Sequence, residues 1–110
     1  MTQGVRTFDF VTVRSVVDGD TINFRVSAGF YLEIEERFRL ARINTPERGQ
    51  PGFQEAKDFV TAWVSGREIR LKVSKADKWR RWLAEVEDKA TGENLNDQLL
   101  SHNLARRYED

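Results

Sequence analysis

From Phe8 to Val26 apolar and polar residues alternate, with one interruption. Phe8 to Val17 reads as a first strand. Thr21 to Val26 reads as a second, with Ile22, Phe24 and Val26 on one face. The interruption is Asp18-Gly19, which suits a tight hairpin turn centred on a left-handed φ. "SAGFYLEIEE" predicts a loop or an irregular hairpin end. Ile34 to Ile43 then predicts a third strand, with Ile34, Phe38 and Leu40 inward. "NTPERGQPG" is a loop, because Thr45-Pro46 and Pro51-Gly52 both break regular structure.

After that loop the period changes. Phe53, Ala56, Phe59, Val60, Trp63 and Val64 recur at helical spacing and make one apolar stripe, which Ser65-Gly66 ends. Arg67 to Lys75 predicts a fourth strand, with Ile69, Leu71 and Val73 alternating against Arg70 and Lys72. Arg80 to Asp88 predicts a fifth, and "KATGEN" a turn. Asn94 or Asn96 caps a last helix running to about Arg106, on Leu95, Leu99, Leu100 and Leu104. Five short strands that leave no long edge exposed suggest a closed barrel. The expected fold class is mainly β (α+β): a five-stranded OB-like barrel with a helix after the third strand and a second near the end. At 110 residues the chain should be one domain, residues 1–110, with one core.

Composition narrows the chemistry. There is no cysteine, hence no disulfide framework and no thiolate zinc site. The single histidine, His102, excludes a HExxH metalloprotease and argues against a Ser-His-Asp triad; a surface position on the late helix suits it better. No apolar run reaches the ~18 residues of a membrane span. "MTQGVRTFDF" lacks the apolar core of a signal peptide, so the expected location is cytoplasmic, with no membrane partner. Net charge is zero, but the cations are 13 Arg against 5 Lys. Arginine is preferred where planar, two-pronged recognition of carboxylate or phosphate matters. The plainer explanation is solvated arginines paired with the 18 acids.

Three clusters carry candidate chemistry: Asp18 with Asp20; Arg39, Asn44, Thr45 and Glu47 in "RLARINTPE"; and "KADKWRRW" from Lys75 to Trp82. Each has a structural explanation. Asp18-Gly19 is a turn, Arg39 a strand charge, Asn44-Thr45-Pro46 an Asx-type exit, and the third a solvated hairpin whose Trp79 and Trp82 cover a barrel end. Asp20 is harder to dismiss, because aspartate is a poor strand former. Strand ends of a small barrel bring loops together. A carboxylate, an amide oxygen and a backbone carbonyl suit a hard cation such as calcium. A second carboxylate can deprotonate a water. Two arginines can clamp a phosphodiester. An exposed tryptophan offers a face for a base.

With those residues in place the chain resembles the staphylococcal nuclease family. The matching pieces are "VVDGDTI", "RLARINTPE", "EAKDFV", "DKWRRWLAEV" and "NLNDQLLSHNLA", in the family's order and over nearly the whole chain. The resemblance implies a five-stranded OB barrel and a calcium-dependent phosphodiesterase of DNA and RNA, leaving 3′-phosphate and 5′-hydroxyl ends. It implies calcium held by Asp20, Asn44 and the Thr45 carbonyl, with Asp18 behind them. Arg39 would contact the phosphate, Glu47 would serve the attacking water, and Arg81 would stabilise the transition state. Lys78, Trp79 and Arg80 would bind nucleic acid, single-stranded DNA or RNA being favoured.

Four departures accompany the resemblance. Asn44 stands where the family often has a second metal aspartate, which removes a charge and should weaken calcium binding. Arg80 and Trp82 replace glycines beside Arg81. The loop from Glu47 to Phe53 is short. The family's third, C-terminal helix and its tyrosines near the nucleotide are missing. Two readings stay open: an active nuclease, or a catalytically weak or inactive module that binds nucleic acid or a protein. Retention of Arg39, Glu47 and Arg81 together favours the nuclease. Oligomeric state is left undetermined by the sequence.

Overall fold

In the computed structural model residues 6–76 and 81–108 are described. Three long strands come first: β1 (Arg6–Asp18), β2 (Thr21–Gly29) and β3 (Leu32–Leu40). A short β4 (Ile43–Asn44) precedes α1 (Phe53–Val64), β5 (Ile69–Ala76), β6 (Trp82–Asp88), α2 (Leu95–Ser101) and a short β7 (Arg106–Arg107). Strands β1, β2, β3, β6 and β5, in that spatial order, close a barrel, while β4 and β7 form a separate two-stranded sheet. The expected five-stranded barrel with two helices is therefore observed. Among the described residues no helix is long and apolar enough to cross a membrane.

The barrel closes because β1 serves two neighbours. Its later residues pair with β2, its earlier ones with β5, and Val11 pairs with both Val26 and Ile69. Register breaks between Phe8 and Val11, Val13 and Ser15, and Val16 and Asp18 supply the bending such a strand needs. Among the described residues β3 meets β6 in parallel at three positions, Phe38–Trp82, Arg39–Leu83 and Leu40–Ala84. Inside lie Ile22, Phe24, Phe38, Leu40, Leu71 and Val86, and the rings of Phe24 and Phe38 meet edge to face at 5.8 Å. Each such side chain removed from water contributes roughly 1.5–3 kcal/mol.

The β2–β3 connection is an irregular hairpin end, the second of the two expected forms. The strands continue to Gly29 and Leu32, and Phe30 and Tyr31 form the turn with φ of 53° and 62°. Both rings are exposed. β3 thus projects beyond the barrel, which leaves Ile34, expected inward, 49% exposed at the barrel mouth beside Phe8, Val26 and Trp82. β3 also ends earlier than expected. Arg42 takes a φ of 71°, so the chain turns and Ile43 leaves the third strand for β4. Glu85 holds Arg42 with two hydrogen bonds, 2.6 and 2.8 Å, and Asp97 adds a third at 2.8 Å. These carboxylates, Glu85 foremost, raise the guanidinium pKa above its ordinary value.

α1 has the expected bounds. Its stripe buries Phe53, Ala56, Val60, Trp63 and Val64, and Phe59 lies at the rim against the His102 ring at 4.9 Å. α2 is shorter than expected. Asn94 caps it by accepting from the Asp97 N–H at 2.8 Å. It stops at Ser101, because Asn103 turns left-handed and the Leu104 N–H closes back on the Leu99 carbonyl at 2.9 Å. Asn96, the other candidate cap, is wholly buried. It donates to the carbonyls of Ala41 and Ala84 at 2.9 and 3.1 Å and accepts from the Val86 N–H at 3.1 Å. A helix side chain thereby ties the end of β3 to β6.

Candidate active site

The site begins in the β1–β2 turn. Asp18 pairs across with Thr21, so the two turn residues are Gly19 and Asp20. This corrects the expectation of Asp18-Gly19 at the centre with a left-handed φ: neither Gly19 nor Asp20 adopts one. Gly19 is needed for closeness. A β-carbon there would stand 2.8 Å from the Ala56 Cβ and 3.0 Å from both Cγ2 and Oγ1 of Thr45.

The turn carries the Asp20 carboxylate into a nearly closed position. Asp20, Arg39 and Thr45 are 8%, 5% and 4% exposed. Asp20 Oδ1 accepts from the Thr21 hydroxyl at 3.1 Å, and Oδ2 accepts from the Thr45 N–H at 3.0 Å. Arg39 Nη1 stands 3.3 Å from the same Oδ2. A buried charge of either sign is costly alone, so this pair holds together what neither residue could hold singly. Register explains the meeting: Thr21 faces Arg39 across β2 and β3, and the Leu40 N–H bonds the Asp20 carbonyl at 2.8 Å.

Arg39 has a second arm. Its Nη2 donates to Asn44 Oδ1 at 3.0 Å, its Nη1 to the Leu40 carbonyl at 3.2 Å, and its guanidinium lies over the Tyr108 ring at 5.5 Å. Asp20, Arg39, Asn44 and Thr45 are thus brought together. Asp18 is half-buried at the edge of the turn. Thr45 Oγ1 is buried and has no hydrogen-bond partner among the described residues.

These donors suit a hard cation in kind. The Asp20 carboxylate, the Asn44 carboxamide and the orphaned Thr45 hydroxyl are all oxygens, the type that calcium selects. They bring one negative charge, and among the described residues no group of three or more His, Asp or Glu side chains gathers around a common point. A cation here would share Asp20 and Asn44 with the Arg39 guanidinium.

Glu47 is exposed on the rim of a groove of about 630 Å³ whose walls include Asn44, Thr45, Leu104 and Arg106. Gln50 fixes its backbone: the Gln50 side chain accepts from the Glu47 N–H at 2.8 Å, and the Gln50 N–H reaches the Glu47 carbonyl at 2.9 Å. Arg81 lies elsewhere, in a second groove with Arg14, Asn23, Arg37 and Trp82. Arg39 sits between the two, bonded to Asn44 of the first and two residues from Arg37 of the second. Lys78, Trp79 and Arg80 lie outside the described residues.

Three residues absent from the sequence reading join the site. Arg106 pairs with Asn44 across β4 and β7, which puts both side chains on one face. Tyr108 reaches Arg39 because its N–H bonds the Arg42 carbonyl at 2.8 Å. A tyrosine thus does stand beside the phosphate-binding candidate. Arg37 is the third. The double arginine of "LARRY" was the available signal for Arg106, and the expected helix to Arg106 hid it.

A family model described as staphylococcal nuclease homologue matches residues 37–110, a span that contains Arg39, Asn44, Thr45, Glu47 and Arg81. Asp18 and Asp20 precede it. No curated protein matches the chain.

Proposed function

The chain belongs to the staphylococcal nuclease homologue family, and from that premise we propose that it is a calcium-dependent nuclease acting on single-stranded DNA or RNA. One observation carries the reading: a single buried guanidinium, that of Arg39, is shared by the Asp20 carboxylate and the Asn44 carboxamide, and Asn44 in turn lines the groove that holds the exposed Glu47.

In this reading Asp20 and Asn44 would hold calcium together with the Thr45 carbonyl, and Asp18 shapes the turn behind them. When bound, the ion supplies a Lewis acid for a phosphoryl oxygen. Glu47 takes a proton from a water as that water's oxygen bonds to phosphorus. The bond from phosphorus to O5′ breaks, its electron pair stays on O5′, and that oxygen takes a proton from solvent water, to which Glu47 later returns its own. A 3′-phosphate and a 5′-hydroxyl result. Arg39 has five N–H donors; Leu40 and Asn44 accept from two of them, and Asp20 faces Nη1 as an ion pair at 3.3 Å. The remaining Nε–H and Nη2 hydrogen are available to phosphoryl oxygens, where charge grows in the transition state. Arg81 approaches from the second groove on the substrate's other side, and Lys78, Trp79 and Arg80 extend the contact to the nucleic acid.

The test is hydrolysis of single-stranded DNA in calcium, repeated with chelator, with product ends identified by mass. Calcium-dependent cleavage leaving 3′-phosphate is expected. Binding without cleavage in calcium, or full activity in chelator, would overturn the mechanism.

A further inference from the structure

The groove that holds Arg81 is a continuation of the site. Arg37 and Arg39 are two apart on β3, so their side chains share one face about 6.6 Å apart along the strand. That is close to the spacing of neighbouring phosphates in an extended single strand. We propose that this second groove, centred on Arg37, is a subsite for the phosphate next to the one at Arg39, so that the protein recognises a polynucleotide with at least two consecutive phosphates. The inference rests on the nuclease reading and adds a second contact to it.

A relay aims Arg37. Its Nε donates to Asn23 Oδ1 at 3.2 Å, and Asn23 Nδ2 donates to Ser15 Oγ at 2.9 Å. Asn23 faces Arg37 on one side and Ser15 on the other, so three strands hold the guanidinium. Among the described residues Arg37 has no acid partner, and both of its terminal amino groups are left for a ligand. A guanidinium presents these as a fork that matches two phosphate oxygens.

The charges nearby set the limits of the subsite. Glu35 also lines the groove, but Arg25 and Arg14 already neutralise it at 2.9 and 3.3 Å. Glu36 lines the groove as well and also borders the barrel mouth, so it marks the acidic edge of the subsite on that side. Arg14 and Arg81 form the flanks, and Trp82, 42% exposed, supplies an apolar wall for a sugar or base. Past Arg37 the next outward residue on β3 is Glu35, already paired with Arg25 and Arg14, so β3 offers no donor to a third phosphate. The face of the second and third strands is also where OB barrels receive oligonucleotides.

The experiment is binding of fluorescent single-stranded octathymidylate in chelator, measured by anisotropy over a range of salt. Three proteins are compared: the unsubstituted chain, Arg37→Ala, and Lys72→Ala. Lys72 lies on β5 and is paired with Glu87, well outside the groove. One phosphate contact is worth about 0.7 in the slope of log K against log salt for a single strand. Arg37→Ala should therefore flatten the slope by about 0.7 and weaken binding several-fold at low salt, while Lys72→Ala keeps the original slope. Equal changes in both variants, or none in Arg37→Ala, would overturn the subsite and leave the nuclease reading standing. No binding by the unsubstituted chain would overturn both.

Discussion

Gly19 and Ala56 lie so close that a single methyl group has no room between them: a β-carbon on Gly19 would stand 2.8 Å from the Ala56 Cβ. The contact seats the turn that carries Asp20 directly on α1. Gly19→Ala should destabilise the protein by roughly 1–3 kcal/mol, the usual cost of overpacking. It should also push Thr45 away from Asp20, because the same methyl would sit 3.0 Å from Thr45 Oγ1. Urea denaturation reads the first effect and loss of calcium-dependent cleavage the second. Unchanged stability would mean that the turn and helix separate easily.

Glu47 tests the assignment of the base. It is exposed, and among the described residues its carboxylate makes no hydrogen bond or ion pair. Glu47→Gln should lower turnover by roughly two to four orders of magnitude, with the melting temperature unchanged. A folded variant with undiminished turnover would remove Glu47 from the reaction.

Asn44→Asp restores charge at the proposed metal position with little change in shape. A carboxylate facing the ion should gain about 1–3 kcal/mol over an amide, or roughly tenfold to hundredfold in calcium affinity. Two carboxylates without metal would repel, but Arg39 Nη2 already donates to this position at 3.0 Å and should offset part of that cost. The metal-free variant should therefore fold normally. Calorimetric titration with calcium measures the gain, and unchanged affinity would place Asn44 away from the ion.

The acid limit of stability should trace partly to Asp88. Its carboxylate accepts from Arg67 at 2.8 Å and from the N–H groups of Ala90 and Thr91, and these bonds, Arg67 first, lower its pKa from the ordinary 3.8. Arg70 does the same for Asp9. A lowered folded pKa means that the unfolded chain binds protons first. The stabilisation is complete above about 3.8 and is lost as pH falls from there through the lower folded value. Melting temperature should be flat near neutrality and drop in this acid window. Arg67→Ala should make that drop shallower; an identical acid limb would sink the assignment.

What was legible in the sequence follows the reach of local signals. The α1 stripe and the alternation in β2 were visible because each repeats over several residues within one element. Asp20 and Arg39 were visible as chemistry in awkward places, though the turn that holds Asp20 is centred one residue later than Asp-Gly propensity suggested. Ile34 misled because alternation tells faces apart but not where a barrel ends. β4 and β7 were invisible: strands of two residues have no period, and their pairing joins Asn44 to Arg106 across most of the second half of the chain. The placement of Arg81 beside Arg37 depends on the parallel register of β3 with β6, which no local pattern encodes. Asn96 looked like a cap because helix-start propensity cannot foresee a burial that tertiary structure completes.

That parallel ladder has a further consequence. Among the described residues it holds at three positions, whereas β2 and β3 pair at eight, so it is the shortest described seam of the barrel. Arg39 lies in it and Arg81 immediately precedes it, one on each side. The gap between the two candidate phosphate cations is therefore set by this short described join, and Asn96 is its clasp. Amide protons along the seam should exchange with solvent sooner than those of the β2–β3 ladder. Each such opening changes the span between the two arginines, so the barrel acts as a caliper whose jaws are charged and whose spring is this parallel ladder.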